Sequence, residues 1–149
     1  MMDVDTSRWT LVGETANSRY FELEPGILAA VPHPGSKDDR ATASENQRFQ
    51  NEHWCSRGRG GVVLVFFDRM VSQDKDARRV YQYEPDVRYM RATLLIGGTL
   101  LSRAMGSFFL GLTRSRIPVK MFGTLDEALA QARQINAEAD AATAAGGAR

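Results

Sequence analysis

The sequence has little of the residues that form covalent cross-links and metal sites. Its 149 residues include one cysteine, Cys55, and two histidines, His33 and His53. One cysteine excludes a disulfide within the chain, and no cysteine and histidine cluster has the spacing of a zinc site. The lack of a disulfide framework fits a reducing compartment, so we expect a cytoplasmic protein that uses no metal or other cofactor.

A long uncharged apolar run is missing as well. The most apolar stretch, residues 94–112, contains Arg103 and several glycines, which disfavours a membrane span. The first residues, MMDVDTSRW, are partly acidic and lack the apolar core of a secretory signal. We therefore expect no targeting segment and no integral membrane protein.

Carboxylates are absent from one long segment. The net charge of +1 disfavours indiscriminate binding to nucleic acid, yet no acidic residue lies between Asp86 and Asp126. Six basic residues occupy that segment: Arg88, Arg91, Arg103, Arg114, Arg116 and Lys120. A cationic surface of this kind suits an acidic protein face, a phosphate or an anionic lipid head group. The alternative is an ordinary solvated face, with some charges at a helix C-terminus.

Signatures of catalysis are also lacking. The sequence contains no nucleophile elbow, no paired carboxylates at a useful spacing and no histidine-based triad. His33 lies in a proline-rich loop and His53 in a polar helix, so both are expected to be solvated. Cys55 has arginines nearby but no evident base. These observations predict a protein that is not an enzyme.

Hydropathy and turn residues predict an α/β fold. Strands are expected at residues 9–14, 19–23, 27–31, 62–67, 89–96 and 117–122, and helices at 39–56, 73–84, 99–112 and 125–139. The continuous apolar run VVLVFF is typical of a central strand covered on both faces. The predicted fold is a mixed, mostly parallel sheet with an N-terminal antiparallel hairpin and about four helices. Residues 1–140 would form one domain, and the Ala- and Gly-rich residues 141–149 a disordered tail.

Local signals set the predicted ends of these elements. Pro25-Gly26 predicts the hairpin turn. Thr42 and Glu45 have the spacing of a capping box for the first helix, which has a thin apolar face and is expected to be largely exposed. Ser72 is the predicted cap of the second helix, and Thr124 opens the last one.

Two candidate binding sites fall around the third predicted helix. Gly97, Gly98 and Thr99 precede or open this helix, where backbone N–H groups can meet an anion, and Arg103 could supply the counter-charge. The alternative is a tight turn without a ligand. Phe108 and Phe109 belong either to the core or, if exposed, to an interaction patch, and the candidate docking residues are Arg103, Phe108, Phe109, Arg114 and Arg116.

Particular residues and the order of elements carry a resemblance to a known family. The residues are Glu45-Asn46, Asp68, Ala77-Arg78, the run LSRAMGSFFLGL at 101–112, Pro118, Phe122 and Glu127-Ala128. Across residues 19–132 the chain resembles the STAS-like domains of bacteria. It resembles more closely a small family of uncharacterised single-domain proteins of that type, which is also similar to CRAL-TRIO lipid-binding folds. The resemblance implies a regulatory module that docks a partner protein, at times with a nucleotide or small anion. Ser72 lacks the preceding Asp of the phosphorylated STAS motif, which argues against a phosphorylation switch.

Two functions therefore remain open. The first is a non-catalytic protein-interaction module that docks a protein partner, either as a monomer or as a homodimer. The alternative is a carrier of a small ligand, either a lipid or a phosphorylated metabolite, with the anion held near Gly97, Gly98, Thr99 and Arg103.

Overall fold

The computed structural model describes residues 4–97 and 115–147. The described strands are β1 (Thr10–Glu14), β2 (Ser18–Glu24), β3 (Ile27–Pro32), β4 (Ser36–Asp38), β5 (Gly61–Phe66), β6 (Met70–Gln73), β7 (Met90–Ile96) and β8 (Val119–Phe122). The described α-helices are α1 (Arg40–Arg57), α2 (Lys75–Tyr83) and α3 (Leu125–Gly147), and a 3-10 turn spans Phe67–Arg69.

The main sheet has six strands in the order β1-β2-β3-β5-β7-β8. β1, β2 and β3 pair antiparallel, whereas β3, β5, β7 and β8 pair parallel. This confirms the predicted fold class. The predicted turn between β2 and β3 is present, and Gly26 adopts the positive φ (89°) that favours glycine there. β5 holds the interior position that VVLVFF predicts, with Leu64 between Ala29 and Leu94.

The helices cover the two faces of the sheet unequally. α1 joins β3 to β5 and α2 joins β5 to β7, so successive crossovers move in one direction across the sheet. Right-handed crossovers of that kind place their helices on the same face, and α1 and α2 do pack against each other through Ala43, Ala77 and Val80. α3 packs on the opposite face, where Ala128 and Ala132 contact the side of β5 that carries Leu64.

α1 differs from its prediction in two respects. The expected Thr42–Glu45 capping box is wrong: Asp39 is the N-cap, and its side chain and that of Thr42 bond reciprocally to each other's backbone N–H. The helix is also not largely exposed, since it buries Ala43, Asn46, Gln47, Gln50, His53 and Trp54. Most of that buried face is polar, so a search for apolar residues could not detect it.

The second helix and the chain's C-terminal segment also correct the prediction. Asp74, not Ser72, caps α2 by accepting from the Ala77 N–H. Ser72 lies in β6, which pairs with β4 in a two-stranded parallel sheet that the sequence did not predict. α3 begins as expected, with Thr124 Oγ1 accepting from the Glu127 N–H. It continues to Gly147, so residues 141–147, expected to be a disordered tail, are helical, and residues 141–146 are exposed.

Candidate functional site

The sequence-predicted anion site falls mostly outside the described residues. Gly98, Thr99 and Arg103 lie there, as do Phe108, Phe109 and Arg114 of the predicted docking surface. Gly97 is described at the end of β7, and its N–H donates to the Phe122 carbonyl oxygen at 3.0 Å. That backbone donor is therefore already used within the sheet and is not free to bind an anion.

Arg116 is the described member of the predicted docking surface. Its guanidinium donates to the Tyr83 carbonyl oxygen at 3.0 Å, and its backbone N–H donates to the Gln82 carbonyl oxygen at 3.0 Å. Carbonyl groups at the end of a helix lack partners within the helix, so Arg116 satisfies two groups at the end of α2. A structural role at this helix end thus accounts for its position.

Two further arginines of the carboxylate-free segment form ion pairs. Arg88 binds Asp86 at 2.7 Å, and Arg91 binds Asp140 of α3 at 2.9 Å while also donating to the Asn136 amide oxygen at 2.9 Å. Two of the six positive charges are thus paired with carboxylates, one just before this segment and one on α3. The expected cationic surface is smaller than the residue count suggests.

A cavity lies on the face of the sheet that α1 and α2 cover. Its empty volume, including the open mouth, is about 610 Å³. The described lining residues are Ser18, Tyr20, Ala30, Pro32, Asp38, Asn46, Gln50, Val65, Phe67, Met70, Gln73, Tyr81, Thr93, Leu95 and Val119. Pro32, Val65 and Leu95 belong to the carboxyl-terminal halves of three neighbouring parallel strands. In open α/β sheets this end of the strands is where ligands usually bind.

The cavity has two chemically different walls. Apolar side chains from the sheet and the segment after β5 form one wall: Val65, Phe67, Met70, Leu95 and Val119. Polar side chains from β2, β4, β6, α1 and α2 form the other: Tyr20, Asp38, Asn46, Gln50, Gln73 and Tyr81. The cavity is therefore suited to a molecule with an apolar part and a hydrogen-bonding part.

Asn46 of α1 is the centre of the polar wall. Its amide oxygen accepts from the Tyr20 hydroxyl at 2.9 Å and from the Thr15 hydroxyl at 2.6 Å. Its amide nitrogen donates to Asn17 Oδ1 at 2.7 Å and to the Tyr81 hydroxyl at 3.3 Å. All four hydrogen-bonding positions of the amide are thus occupied, which fixes the side chain in one orientation.

Asp38 at the end of β4 is the acidic group of this wall. Its carboxylate accepts from the Thr42 hydroxyl at 2.6 Å, from the Gln73 amide at 3.3 Å and from the Asn17 amide at 3.5 Å, and it also bonds to the Tyr81 hydroxyl. Burial raises the pKa of Asp38, because a charged carboxylate loses its hydration, and the hydrogen bonds oppose that shift. Ionisation at this position therefore costs free energy.

The two tyrosines of the polar wall stay protonated at neutral pH. Burial raises the pKa of Tyr81 well above its usual value, and the nearby Asp38 adds to the shift. Burial also raises the pKa of Tyr20, with a smaller opposing contribution from the hydrogen bond donated by Gln50. Each phenol therefore acts as a neutral hydrogen-bond donor and acceptor inside the network.

Gln50 and Gln73 keep hydrogen-bonding capacity. Gln50 donates from Nε2 to the Tyr20 hydroxyl at 3.1 Å, and Gln73 donates from Nε2 to Asp38. Within residues 4–97 and 115–147, no hydrogen bond engages either amide oxygen, and the buried side-chain atoms without a partner are His53 Nε2 and Trp54 Nε1 alone. The two glutamine oxygens are therefore accessible, and both residues line the cavity.

His53 forms a separate buried polar position on α1. The expectation that it is solvated is wrong, because the residue is 8% exposed. Its Nε2 lies 3.8 Å from Glu22 Oε2, which is also 2.9 Å from the Arg57 guanidinium. Burial lowers the pKa of His53, the positive charge of Arg57 lowers it further, and Glu22 opposes both.

This environment predicts a measurable pH dependence of stability. The pKa of His53 in the folded protein lies below its usual 6.5, so the unfolded chain binds the proton more readily. His53 therefore contributes stability that is present above pH 6.5 and lost as the pH falls through the lowered value. Urea unfolding across this pH range should show that the free energy of unfolding falls less steeply with decreasing pH in His53→Gln than in the wild type. The change His33→Gln is the matched control, and an equal loss in all three proteins would contradict this assignment.

Sequence reasoning missed the polar wall altogether. Its members come from five separate elements, and as single Asn, Gln, Tyr and Asp residues they match no motif. One signal was present: α1 has an apolar face too thin for an 18-residue helix that packs on a sheet. A helix of that kind buries polar side chains, and buried polar side chains need partners elsewhere in the fold.

Within the described residues, no helix is long and apolar enough to cross a membrane. The same residues contain no group of three or more His, Cys, Asp or Glu side chains that could hold a metal ion.

Comparison with known proteins places the described core in one family. The family described as "Domain of unknown function (DUF7793)" matches residues 21–136, which extend from β2 into α3 and include most of the cavity lining. Comparison with curated proteins and with solved structures yields no match. Because the matched segment covers most of the sequence, the chain belongs to the DUF7793 family, a domain of unknown function.

Proposed function

We propose that this domain binds a small molecule with an apolar body and a polar group in the cavity between the sheet and α1 and α2. The observation that carries the proposal is the pairing of a pre-formed polar wall with an apolar wall around one open space. The proposed activity is binding rather than catalysis.

The lining of the cavity supports this function. Ligand pockets are mostly apolar, with a few fixed polar groups that orient the ligand. The described lining residues combine apolar and fixed polar side chains in this way. A ligand could bury its apolar part against Val65, Leu95 and Val119 and turn its polar part toward α1.

The energetics of the polar wall also favour a binding role. Burying a carboxyl group costs stability unless hydrogen bonds compensate, and the raised pKa of Asp38 means that compensation is incomplete. Apolar residues would fill the same position at lower cost. Titratable groups with perturbed pKa values next to a cavity are typical of functional sites. A binding role would therefore explain why the polar wall is present although it costs stability.

A cavity-filling substitution tests the proposal. Val65→Phe places an aromatic ring in the cavity from the central strand and should abolish retention of a small molecule. Native mass spectrometry of the protein purified from its own cells measures this retention directly. Val71→Phe is the matched control, because Val71 is 52% exposed on β6 and does not line the cavity.

Thermal unfolding of both variants shows whether each is folded before its mass is compared. Retention of a small molecule by wild type and Val71→Phe, with loss in Val65→Phe, supports the proposal. Equal retention in all three proteins would place the ligand elsewhere and overturn it.

Docking of a partner protein, as in STAS-like domains, is the second candidate. It is supported by the sheet architecture, in which an antiparallel hairpin leads into parallel strands, and by the carboxylate-free segment with its six basic residues. Arg88, Arg91 and Arg116 already have intramolecular partners, whereas Lys120 is exposed. Wild-type protein that carries no small molecule in the native mass experiment would favour docking over ligand binding.

A further inference from the structure

We infer that the cavity selects ligands whose polar group donates hydrogen bonds or carries a positive charge, such as a hydroxyl or an ammonium group, and rejects phosphates and carboxylates. This inference rests on the proposed function and names the ligand class for the same site. It differs from the phosphorylated metabolite expected from the sequence, because the charged group of this cavity is acidic.

The charges that line the cavity support this selectivity. Asp38 is acidic, and no Lys, Arg or His stands among the described lining residues. The other titratable lining residues, Tyr20 and Tyr81, are neutral phenols at physiological pH. An anionic ligand would bring a second negative charge beside Asp38 in a partly desolvated space, and such a pairing is unfavourable.

Two arginines bond to backbone oxygens of residues that line the cavity. Arg69 Nε donates to the Pro32 carbonyl oxygen at 2.6 Å, and Arg78 Nη2 lies 3.5 Å from the Gln73 carbonyl oxygen. Each contact uses one guanidinium N–H group, and neither arginine is among the described lining residues. Their geometry therefore does not supply the built anion site that a phosphate requires.

The distribution of protons in the polar wall points the same way. The Tyr20 hydroxyl proton goes to Asn46 Oδ1, and the Tyr81 hydroxyl bonds to Asp38. Both N–H groups of Asn46 are also used. The amide oxygens of Gln50 and Gln73 remain available to accept hydrogen bonds from a ligand in the cavity. The wall therefore presents acceptors next to a carboxyl group, which matches a donor.

Three probes of equal chain length test the inference: octanol, octylamine and octanoate. Isothermal titration calorimetry of the wild type near neutral pH should show binding of octanol and octylamine. Octanoate should bind at least about tenfold more weakly than octylamine, a difference that corresponds to about 1.4 kcal/mol. Val65→Phe should bind none of them, which shows that the signal comes from the cavity.

Asp38→Asn identifies the group responsible. The variant removes the charge with little change in shape, so the ratio of octylamine to octanoate affinity should fall toward one. Asp126→Asn is the matched control, since Asp126 is exposed on α3, and it should keep the wild-type ratio. An unchanged ratio in a folded Asp38→Asn protein would overturn the role of Asp38.

The measurements on the wild type and on Val65→Phe test the ligand class and the proposed function separately. Equal or tighter binding of octanoate would overturn the ligand class and leave the cavity as a binding site. Failure of all three probes, or equal binding by wild type and Val65→Phe, would overturn the proposed function and the ligand class together.

Discussion

Leu64→Ala should lower the free energy of unfolding by about 2–5 kcal/mol. Leu64 is fully buried in β5, between Ala29 of β3 and Leu94 of β7. Truncation removes its apolar surface from the core and leaves a space that neighbouring strands cannot collapse to fill.

Urea or guanidinium unfolding at equilibrium measures this loss. Leu11→Ala is the matched control, because Leu11 is 54% exposed on the edge strand β1, and it should change the stability by less than about 0.5 kcal/mol. Similar stabilities for the two variants would contradict the burial of β5 and the architecture built on it.

Asn46→Ala should cost about 3 kcal/mol, a large effect for the loss of one polar side chain. Truncation removes four hydrogen bonds at once, to Tyr20, Thr15, Asn17 and Tyr81. A buried donor or acceptor left without a partner costs about 1–3 kcal/mol, and water entering from the adjacent cavity can satisfy only part of this set.

Equilibrium unfolding again gives the measurement, with Glu52→Ala as the control on the solvent-facing side of the same helix. Glu52 is exposed, so its truncation should be close to neutral. If Asn46→Ala protein that is still folded binds the ligand more weakly than the wild type does, the hydrogen-bond network also contributes to ligand binding. A loss below about 1 kcal/mol would show that the network contributes little to the fold.

Three local signals led to correct predictions because each depends on interactions between residues that are close in sequence. The run VVLVFF is apolar on both alternating sides, so it had to be covered on both faces, and β5 is. Proline followed by glycine sets the backbone angles of a tight turn, and Gly26 adopts them. Thr124 and Glu127 likewise opened the last helix where the spacing predicted it.

The prediction failed where the decisive partner lies far away in sequence. The residues next to Arg91 in the sequence suggest a solvated side chain. In the structure Arg91 forms an ion pair with Asp140, which lies almost fifty residues later. His53 appears polar and exposed in the sequence, but α1 turns it toward Glu22 of β2. The apolar face of α1 was predicted to be thin because three of its six buried side chains are amides. A hydropathy pattern predicts such polar side chains to be exposed.

The sequence by itself determined the α/β class and the position of the central strand, because backbone propensity and apolar periodicity act over a few residues. The tertiary structure alone decided the candidate site. Asp38 and Asn46 come from one segment of the chain and Gln73 and Tyr81 from another, and the two segments meet only when two crossover helices dock on one face of the sheet. The burial, the pKa shifts and the hydrogen-bond partners of these side chains arise from that docking, so no local sequence pattern could predict them.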